Sequence, residues 1–154
     1  MELITGAVES ILDEKGRVNI PLRFRDRYQG DLVITYGMLP SAWIMKAEVW
    51  EKVQAKMTGL DFTVEERFFF EQRYLYQAQP VELDKANRIA IPLTIRKYAK
   101  LTKECRVISA ENRLEIWDTA FHSAFVDEGE PVVQGATARS VMDKMGSIRL
   151  FKLD

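Results

Sequence analysis

Two short segments of the sequence carry basic residues at positions where they could contact a phosphate group or the edge of a base. The first runs Leu-Asp-Glu-Lys-Gly-Arg-Val-Asn-Ile-Pro-Leu from residue 12, and the second runs Leu-Asp-Lys-Ala-Asn-Arg-Ile-Ala-Ile-Pro-Leu from residue 83. Each segment places an aspartate four residues before an arginine, which gives the pairs Asp13 with Arg17 and Asp84 with Arg88. A guanidinium can form two parallel hydrogen bonds with phosphate oxygens or with the O6 and N7 atoms of guanine. Arg17 and Arg88 are therefore candidates for nucleic-acid contact.

The same residues also allow a structural interpretation. Each arginine could pair with the aspartate of its own segment, and an ion pair of this kind at a protein surface contributes about 0–1 kcal/mol. The residues alone support the two interpretations equally. Lys15 and Lys85 belong to the same segments and would contact phosphates if these segments face DNA.

The two segments belong to an internal repeat with an offset of 71 residues. Alignment of residues 7–25 with residues 78–96 gives eight identical pairs in nineteen positions. The residue before the arginine is Gly16 in one copy and Asn87 in the other, and these two residue types best tolerate a positive φ. Each copy therefore predicts a strand, a tight left-handed turn flanked by the aspartate and the arginine, a second strand, and a short helix that begins at the shared proline.

Hydrophobic periodicity and turn residues predict the remaining elements. We predict strands at 31–35, 42–45, 105–109 and 113–117, and helices at 21–29, 47–57, 63–77, 92–100 and 136–145. In the two repeat helices, the expected core residues include Leu22, Phe24 and Leu93. Trp50 and Trp117 are expected in the core or in an interface. Residues 127–134 are predicted to form a loop, and the apolar end of the chain is expected to dock against the rest of the protein.

The helix predicted at 63–77 is apolar on almost every side. Thr63 and Glu66 have the spacing of a capping box at its start. A helix with so few polar positions should be buried on more than one side. We therefore expect it to contact another subunit as well as the core.

Composition narrows the class of protein. A chain of 154 residues with 47% hydrophobic and 29% charged residues is typical of a single soluble domain. The net charge of −1 is not typical of a nucleic-acid-binding protein, so DNA affinity would have to come from local clustering or from an oligomer. The single cysteine excludes an internal disulfide, and no signal peptide or membrane span is apparent. The cytoplasm is the expected location.

Sequence patterns of catalysis and cofactor binding are not found. Cys105 and His122 are too few for a zinc site and lack the third group of a nucleophilic triad, so we expect a core thiol and a surface imidazole. Neither glycine-rich nucleotide-binding motif occurs. We therefore expect no enzyme activity, no catalytic residue, no metal, no cofactor and no small-molecule substrate.

The duplicated Asp-x-x-x-Arg motif, with both prolines and the strands that follow, resembles the MraZ family. This family lies within the SpoVT/AbrB superfamily of swapped-hairpin DNA-binding proteins, and the resemblance covers roughly residues 6–122. It implies a mixed α/β, β-rich fold, namely a double-split swapped-hairpin β-barrel built from two interlocking repeats with short helices. The expected boundaries are residues 7–50 for repeat 1, 51–77 for two linking helices, 78–122 for repeat 2 and 123–154 for a C-terminal tail.

The resemblance also implies a function. It implies a sequence-specific transcriptional regulator that binds double-stranded DNA at repeated promoter elements of the bacterial division and cell-wall gene cluster, associates with the nucleoid, and assembles into a homo-oligomeric ring. The implied DNA-binding residues are Arg17, Lys15, Arg88, Lys85 and Asn87, and the residues that support the turns are Asp13, Gly16 and Asp84.

One position departs from the family pattern. Family members usually carry glycine before the second arginine, where this chain has Asn87, so we expect the second turn to bind DNA more weakly than the first. The alternative function is a swapped-hairpin protein-interaction module, antitoxin-like or scaffolding, without productive DNA binding.

Overall fold

The computed structural model describes residues 5–129 and 135–153 of the chain. Within these residues the strands, in chain order, are β1 (Gly6–Ile11), β2 (Arg17–Asn19), β3 (Leu32–Tyr36), β4 (Ala42–Lys46), β5 (Gln79–Val81), β6 (Arg88–Ala90), β7 (Glu104–Ala110) and β8 (Arg113–Asp118). The α-helices are α1 (Leu22–Arg25), α2 (Ala47–Thr58), α3 (Val64–Phe70), α4 (Leu93–Tyr98), α5 (Thr119–Glu128) and α6 (Ala136–Gly146). A 3₁₀ turn (Asp26–Tyr28) follows α1, and a π-helical segment (Glu71–Leu75) continues α3.

The strands form a six-stranded antiparallel sheet and a separate two-stranded ribbon. The order in the sheet is β1-β7-β8-β4-β3-β5, and the ribbon pairs β2 with β6. The first strand of each repeat pairs with the third strand of the other repeat, because β1 lies beside β7 and β5 lies beside β3. The two repeats are therefore interlocked within one chain, which is the double swapped-hairpin fold that the family resemblance implies.

Alternating side chains divide the interior into two hydrophobic clusters. Ala42 and Ile44 of β4 face the first cluster, which lies between the sheet and the ribbon, whereas Trp43 and Met45 face the second. A strand with both faces covered reads as a continuous apolar run, and β4 does so from Ala42 to Met45. Helices α2, α3 and α6 and the end of the chain contribute to the second cluster.

The C-terminal segment docks on this second cluster, as its apolar sequence predicts. The ring of Phe151 meets Trp43 edge-on at 5.2 Å, and the Arg113 guanidinium lies 4.1 Å from the Phe151 ring centre. Lys144 Nζ of α6 lies 2.6 Å from a carboxylate oxygen of Glu66 on α3. The tail is therefore held by both apolar packing and an ion pair.

Most predicted elements are confirmed, and two core assignments are wrong. Phe24 is buried as expected, but Leu22 is 76% exposed and its repeat counterpart Leu93 is 54% exposed. Helix α1 has only one turn, so a residue two positions before the buried Phe24 points to the opposite side. Trp50 and Trp117 lie in the core, as expected.

The middle helix begins as predicted, with a capping box in which the Thr63 hydroxyl accepts from Glu66 N–H and the Glu66 carboxylate accepts from Thr63 N–H. Its far side is open in the single chain, since Val64 is 91% and Phe68 is 65% exposed. Expected burial of this side against another subunit stays a prediction.

The segment after β8 differs from the sequence prediction. Residues 119–128 form α5, whose start is capped by the Asp118 carboxylate, so the predicted loop is wrong at Asp127 and Glu128. The part of that loop at residues 130–134 lies outside the described residues. Helix α6 is confirmed. No helix among the described residues is both long enough and apolar enough to span a membrane.

Candidate nucleic-acid interface

The first turn is held together by one aspartate. Asp13 Oδ1 accepts hydrogen bonds from the backbone N–H groups of Lys15 and Arg17, both at 2.9 Å, and Asp13 Oδ2 accepts from Arg17 Nε at 2.8 Å. Backbone hydrogen bonds from Gly16 N to Asp13 O and from Asp13 N to Arg17 O close the turn. We call residues 13–17 tip 1. Its shape is set before any ligand binds.

The second turn, residues 84–88, repeats this geometry, and we call it tip 2. Asp84 Oδ1 accepts from the N–H groups of Ala86 and Arg88 at 2.9 Å, and Asp84 Oδ2 accepts from Arg88 Nε at 2.9 Å. Backbone N–H groups lower the pKa of Asp13 and of Asp84, with Arg17 N–H and Arg88 N–H as the largest causes. Both carboxylates thus support their tips in the ionised form.

The residue before each arginine adopts the left-handed conformation that the sequence predicts. The φ angle is +79° at Gly16 and +62° at Asn87. At Gly16 the packing is also tight, because an added Cβ would lie 2.6 Å from Cζ of Arg96 and that side chain would have to shift. Arg96 belongs to repeat 2, so repeat 2 packs directly against tip 1.

The ribbon places the two arginines on one outer face. The pairs are Arg17 with Ala90, Val18 with Ile89, and Asn19 with Arg88. Val18 and Ile89 are fully buried, so their neighbours on each strand point outward. Arg17 and Arg88 are diagonal neighbours on this face, with Cα atoms about 7–8 Å apart.

The two arginines differ in their surroundings. Arg17 Nε donates a hydrogen bond to Asp13, whereas the two Nη groups of Arg17 have no hydrogen-bond acceptor among the described residues. Arg88 is bound to Asp84 and also has Nη1 3.9 Å from the Asp13 carboxylate, so it lies between two acidic groups. Both side chains are about one-third exposed, at 29% and 32%. Arg17 is the more available of the two.

Lysines flank the ribbon at both tips. Lys15 lies two residues after Asp13, Lys85 lies one residue after Asp84, and both side chains are exposed. Among the described residues neither ammonium group takes part in an ion pair closer than 4.0 Å. These lysines are positioned for contacts with an anionic ligand.

Sequence reasoning missed the role of two further arginines. Arg25 Nε donates to Ile20 O at 2.6 Å, and its counterpart Arg96 Nε donates to Ile91 O at 2.9 Å. Ile20 N–H and Ile91 N–H in turn donate to the carbonyls of Asn87 and Gly16. Arg25 and Arg96 therefore connect each repeat helix to the tip of the other repeat. The sequence contains one indication of this role, because both copies of the repeat carry arginine at this position.

Two further titratable residues that the sequence singles out, Cys105 and His122, have defined surroundings. Cys105 is buried, and burial raises the pKa of its thiol to about 11. His122 lies at the surface but is half-buried beside Trp117, and its Nδ1 lies 2.8 Å from Arg106. Its pKa is lowered, chiefly by burial and then by Arg106. No group of three or more potential metal ligands occurs in the described part of the chain.

Comparison with known protein families assigns the chain. The family model described as "MraZ protein, putative antitoxin-like" matches residues 3–70 and 74–142, so that each match contains one copy of the Asp-x-x-x-Arg turn. The matches together span most of the chain and agree with the interlocked repeats of the fold. The chain therefore belongs to the MraZ family, a regulatory and non-enzymatic family.

Proposed function

We propose that the protein is a sequence-specific transcriptional regulator that binds the major groove of DNA through the outer face of the β2–β6 ribbon. The observation that carries this proposal is the pair of preformed tips that present Arg17 and Arg88 on one face. A two-stranded ribbon fits the major groove, where a guanidinium can bind guanine O6 and N7. With Nε held by aspartate, the two Nη groups of Arg17 form the edge available to the base.

The remaining residues of the site have supporting roles in this proposal. Lys15 and Lys85 contact phosphates on either side of the ribbon. Asn87, like Gly16, supplies the left-handed backbone of its tip and lies beside the DNA. Arg88 contributes less than Arg17, because the Asp13 carboxylate at 3.9 Å competes with DNA for its charge.

Self-association would compensate for the weak overall charge. The exposed apolar side chains of the middle helix and its π-helical continuation are Val64, Phe68 and Tyr76, at 91%, 65% and 63% exposure. We propose that they bury against neighbouring copies in a homo-oligomeric ring. Several ribbons on one assembly would then bind repeated promoter elements with a raised effective concentration. The proposed targets are those of the family resemblance, the division and cell-wall gene cluster, with the protein at the nucleoid.

The decisive experiment compares wild type with Arg17→Ala, Arg88→Ala and Arg139→Ala. Binding to DNA from upstream of its own gene and to scrambled DNA is measured by fluorescence anisotropy at two salt concentrations. Arg139 is an exposed arginine of α6, so its variant removes the same charge away from the ribbon.

We expect salt-dependent, sequence-specific binding that Arg17→Ala abolishes, Arg88→Ala weakens less and Arg139→Ala leaves unchanged. An assembly of wild-type size in every variant shows that folding is intact. Equal losses from Arg17→Ala and Arg139→Ala would show that the ribbon is not the binding surface.

A protein-interaction function is the second candidate, and the antitoxin-like description of the family favours it. In this case the ribbon would bind an acidic protein surface through the same arginines. The absence of specific DNA binding by a correctly assembled wild-type protein would favour this candidate over the first.

A further inference from the structure

The outer face of the ribbon is not symmetric, although its backbone is. Four side chains point outward, and the two arginines occupy equivalent positions. The other two positions differ, since Asn19 lies opposite Arg88 whereas Ala90 lies opposite Arg17. Both Asn19 and Ala90 are exposed. One half of the face thus carries an amide and the other half carries a methyl group.

The amide of Asn19 is held in a defined orientation. Arg25 Nη2 donates to Asn19 Oδ1 at 3.0 Å, and Asn19 Nδ2 donates to the carbonyl of Ala86 in tip 2 at 3.3 Å. Arg25 is itself fixed by its hydrogen bond to Ile20 O. An amide has two acceptor lone pairs and two N–H donors, so one of each is still available on Asn19.

We infer that Asn19 is a base-reading residue and that Arg25 positions it. This inference rests on the proposed function, namely DNA binding by the ribbon. An amide with one free acceptor and one free donor matches the N6 and N7 edge of adenine in the major groove. Ala90 has no polar group and suits the methyl group of thymine. The recognised sequence is therefore not palindromic, because Arg88 with Asn19 and Arg17 with Ala90 read different bases.

The test is selection of preferred sites from a library of randomised duplexes by wild type, Asn19→Ala, Asn19→Asp and Gln54→Ala. Gln54 is a half-exposed amide of α2, outside the ribbon and its supporting helix α1, so its variant is the matched control. Asn19→Asp keeps an oxygen that can accept from Arg25 but loses the donor for N7 of adenine. Affinity is then measured on the selected wild-type site and on single-base variants of it.

We expect the wild-type motif to contain one adenine that Asn19→Ala no longer selects, with the other positions retained. At that position the preference for adenine should fall about 5- to 150-fold, the factor that corresponds to about 1–3 kcal/mol for a bidentate contact. Asn19→Asp should change the preference to cytosine, whose N4 group is a donor. Gln54→Ala should select the wild-type motif.

Two results would overturn the inference. An unchanged motif and affinity for Asn19→Ala would show that the amide does not read a base. A uniform loss at every position would assign Asn19 a structural role only, as a link between Arg25 and tip 2. If wild type selected no motif at all, the proposed function would fail together with the inference, whereas in the first two results the proposed function would stand.

Discussion

Substitution of Gly16 by alanine tests whether the two repeats shape each other's tips. Gly16 has a φ of +79°, and an added Cβ would lie 2.6–2.9 Å from three guanidinium atoms of Arg96. Arg96 would have to move, and its hydrogen bond to Ile91 O would be lost or distorted. The substitution therefore has a conformational cost and a packing cost.

The two costs can be estimated separately. A non-glycine residue in the left-handed region costs about 1–2 kcal/mol. Loss of a partly exposed hydrogen bond costs about 0.5–1.5 kcal/mol. We expect Gly16→Ala to lower the free energy of unfolding by about 1.5–3.5 kcal/mol. Gly30→Ala is the matched control, because Gly30 has a φ of +84° but nothing within 4 Å of its added Cβ. Gly30→Ala should cost only the conformational amount, about 1–2 kcal/mol.

Urea unfolding of wild type and four variants separates the contributions: Gly16→Ala, Gly30→Ala, Arg96→Ala and the double variant Gly16→Ala/Arg96→Ala. In the Arg96→Ala background, Gly16→Ala should cost about as much as Gly30→Ala does, about 1–2 kcal/mol, because the guanidinium is gone. The reasoning would be refuted if Gly16→Ala cost no more than Gly30→Ala in the wild-type background.

Two further predictions concern the C-terminal segment. Hydrogen bonds from Lys144 and its neighbours lower the pKa of Glu66 to about 2, so the ionised carboxylate stabilises the fold above about pH 4.5 and this effect is lost as the pH falls toward 2. Glu66→Gln should therefore be less stable than wild type at pH 7, and urea unfolding should show that this difference shrinks at acid pH. A difference that stays constant with pH would exclude the ionised carboxylate as its source. Phe151→Ala should lower the free energy of unfolding by about 3 kcal/mol, which is the lower end of the range for a buried phenylalanine because the chain end can relax into the cavity. A decrease below about 1 kcal/mol, measured by urea unfolding, would contradict docking of the tail.

The repeat made the local unit of the fold predictable from sequence, whereas the interlocked arrangement of the two units was expected from the family resemblance. Eight identical pairs, two prolines and the Gly16 and Asn87 positions define strand, turn, strand and helix in both copies, because only a few residue types allow a left-handed turn. The aspartates and arginines of the tips follow directly from the motif. Local chemistry in the sequence therefore predicted local structure well.

Features that depend on contacts between distant residues were not predictable. Leu22 is apolar yet exposed, since a helix of one turn has no stable periodicity to read. Helix α5 is held by Arg106 of β7, which contacts His122 and Ser123. No local sequence pattern predicts these contacts. The sequence places Asn19 two residues after Arg17, and therefore on the same face of the strand, but the orientation of its amide depends on contacts with Arg25 and tip 2.

The exchange of strands between repeats has a consequence during synthesis of the protein. Gly6 pairs with Ser109, so the partner of the first strand emerges about 100 residues later, which at a usual rate of elongation takes roughly 5–20 s. Strand β3 likewise lacks its partner β5 until the second repeat begins to emerge. Over this interval the nascent chain exposes unpaired strand edges, which are sites of aggregation. The edges of β1 and β3 can therefore be covered only after the second half of the protein has been made.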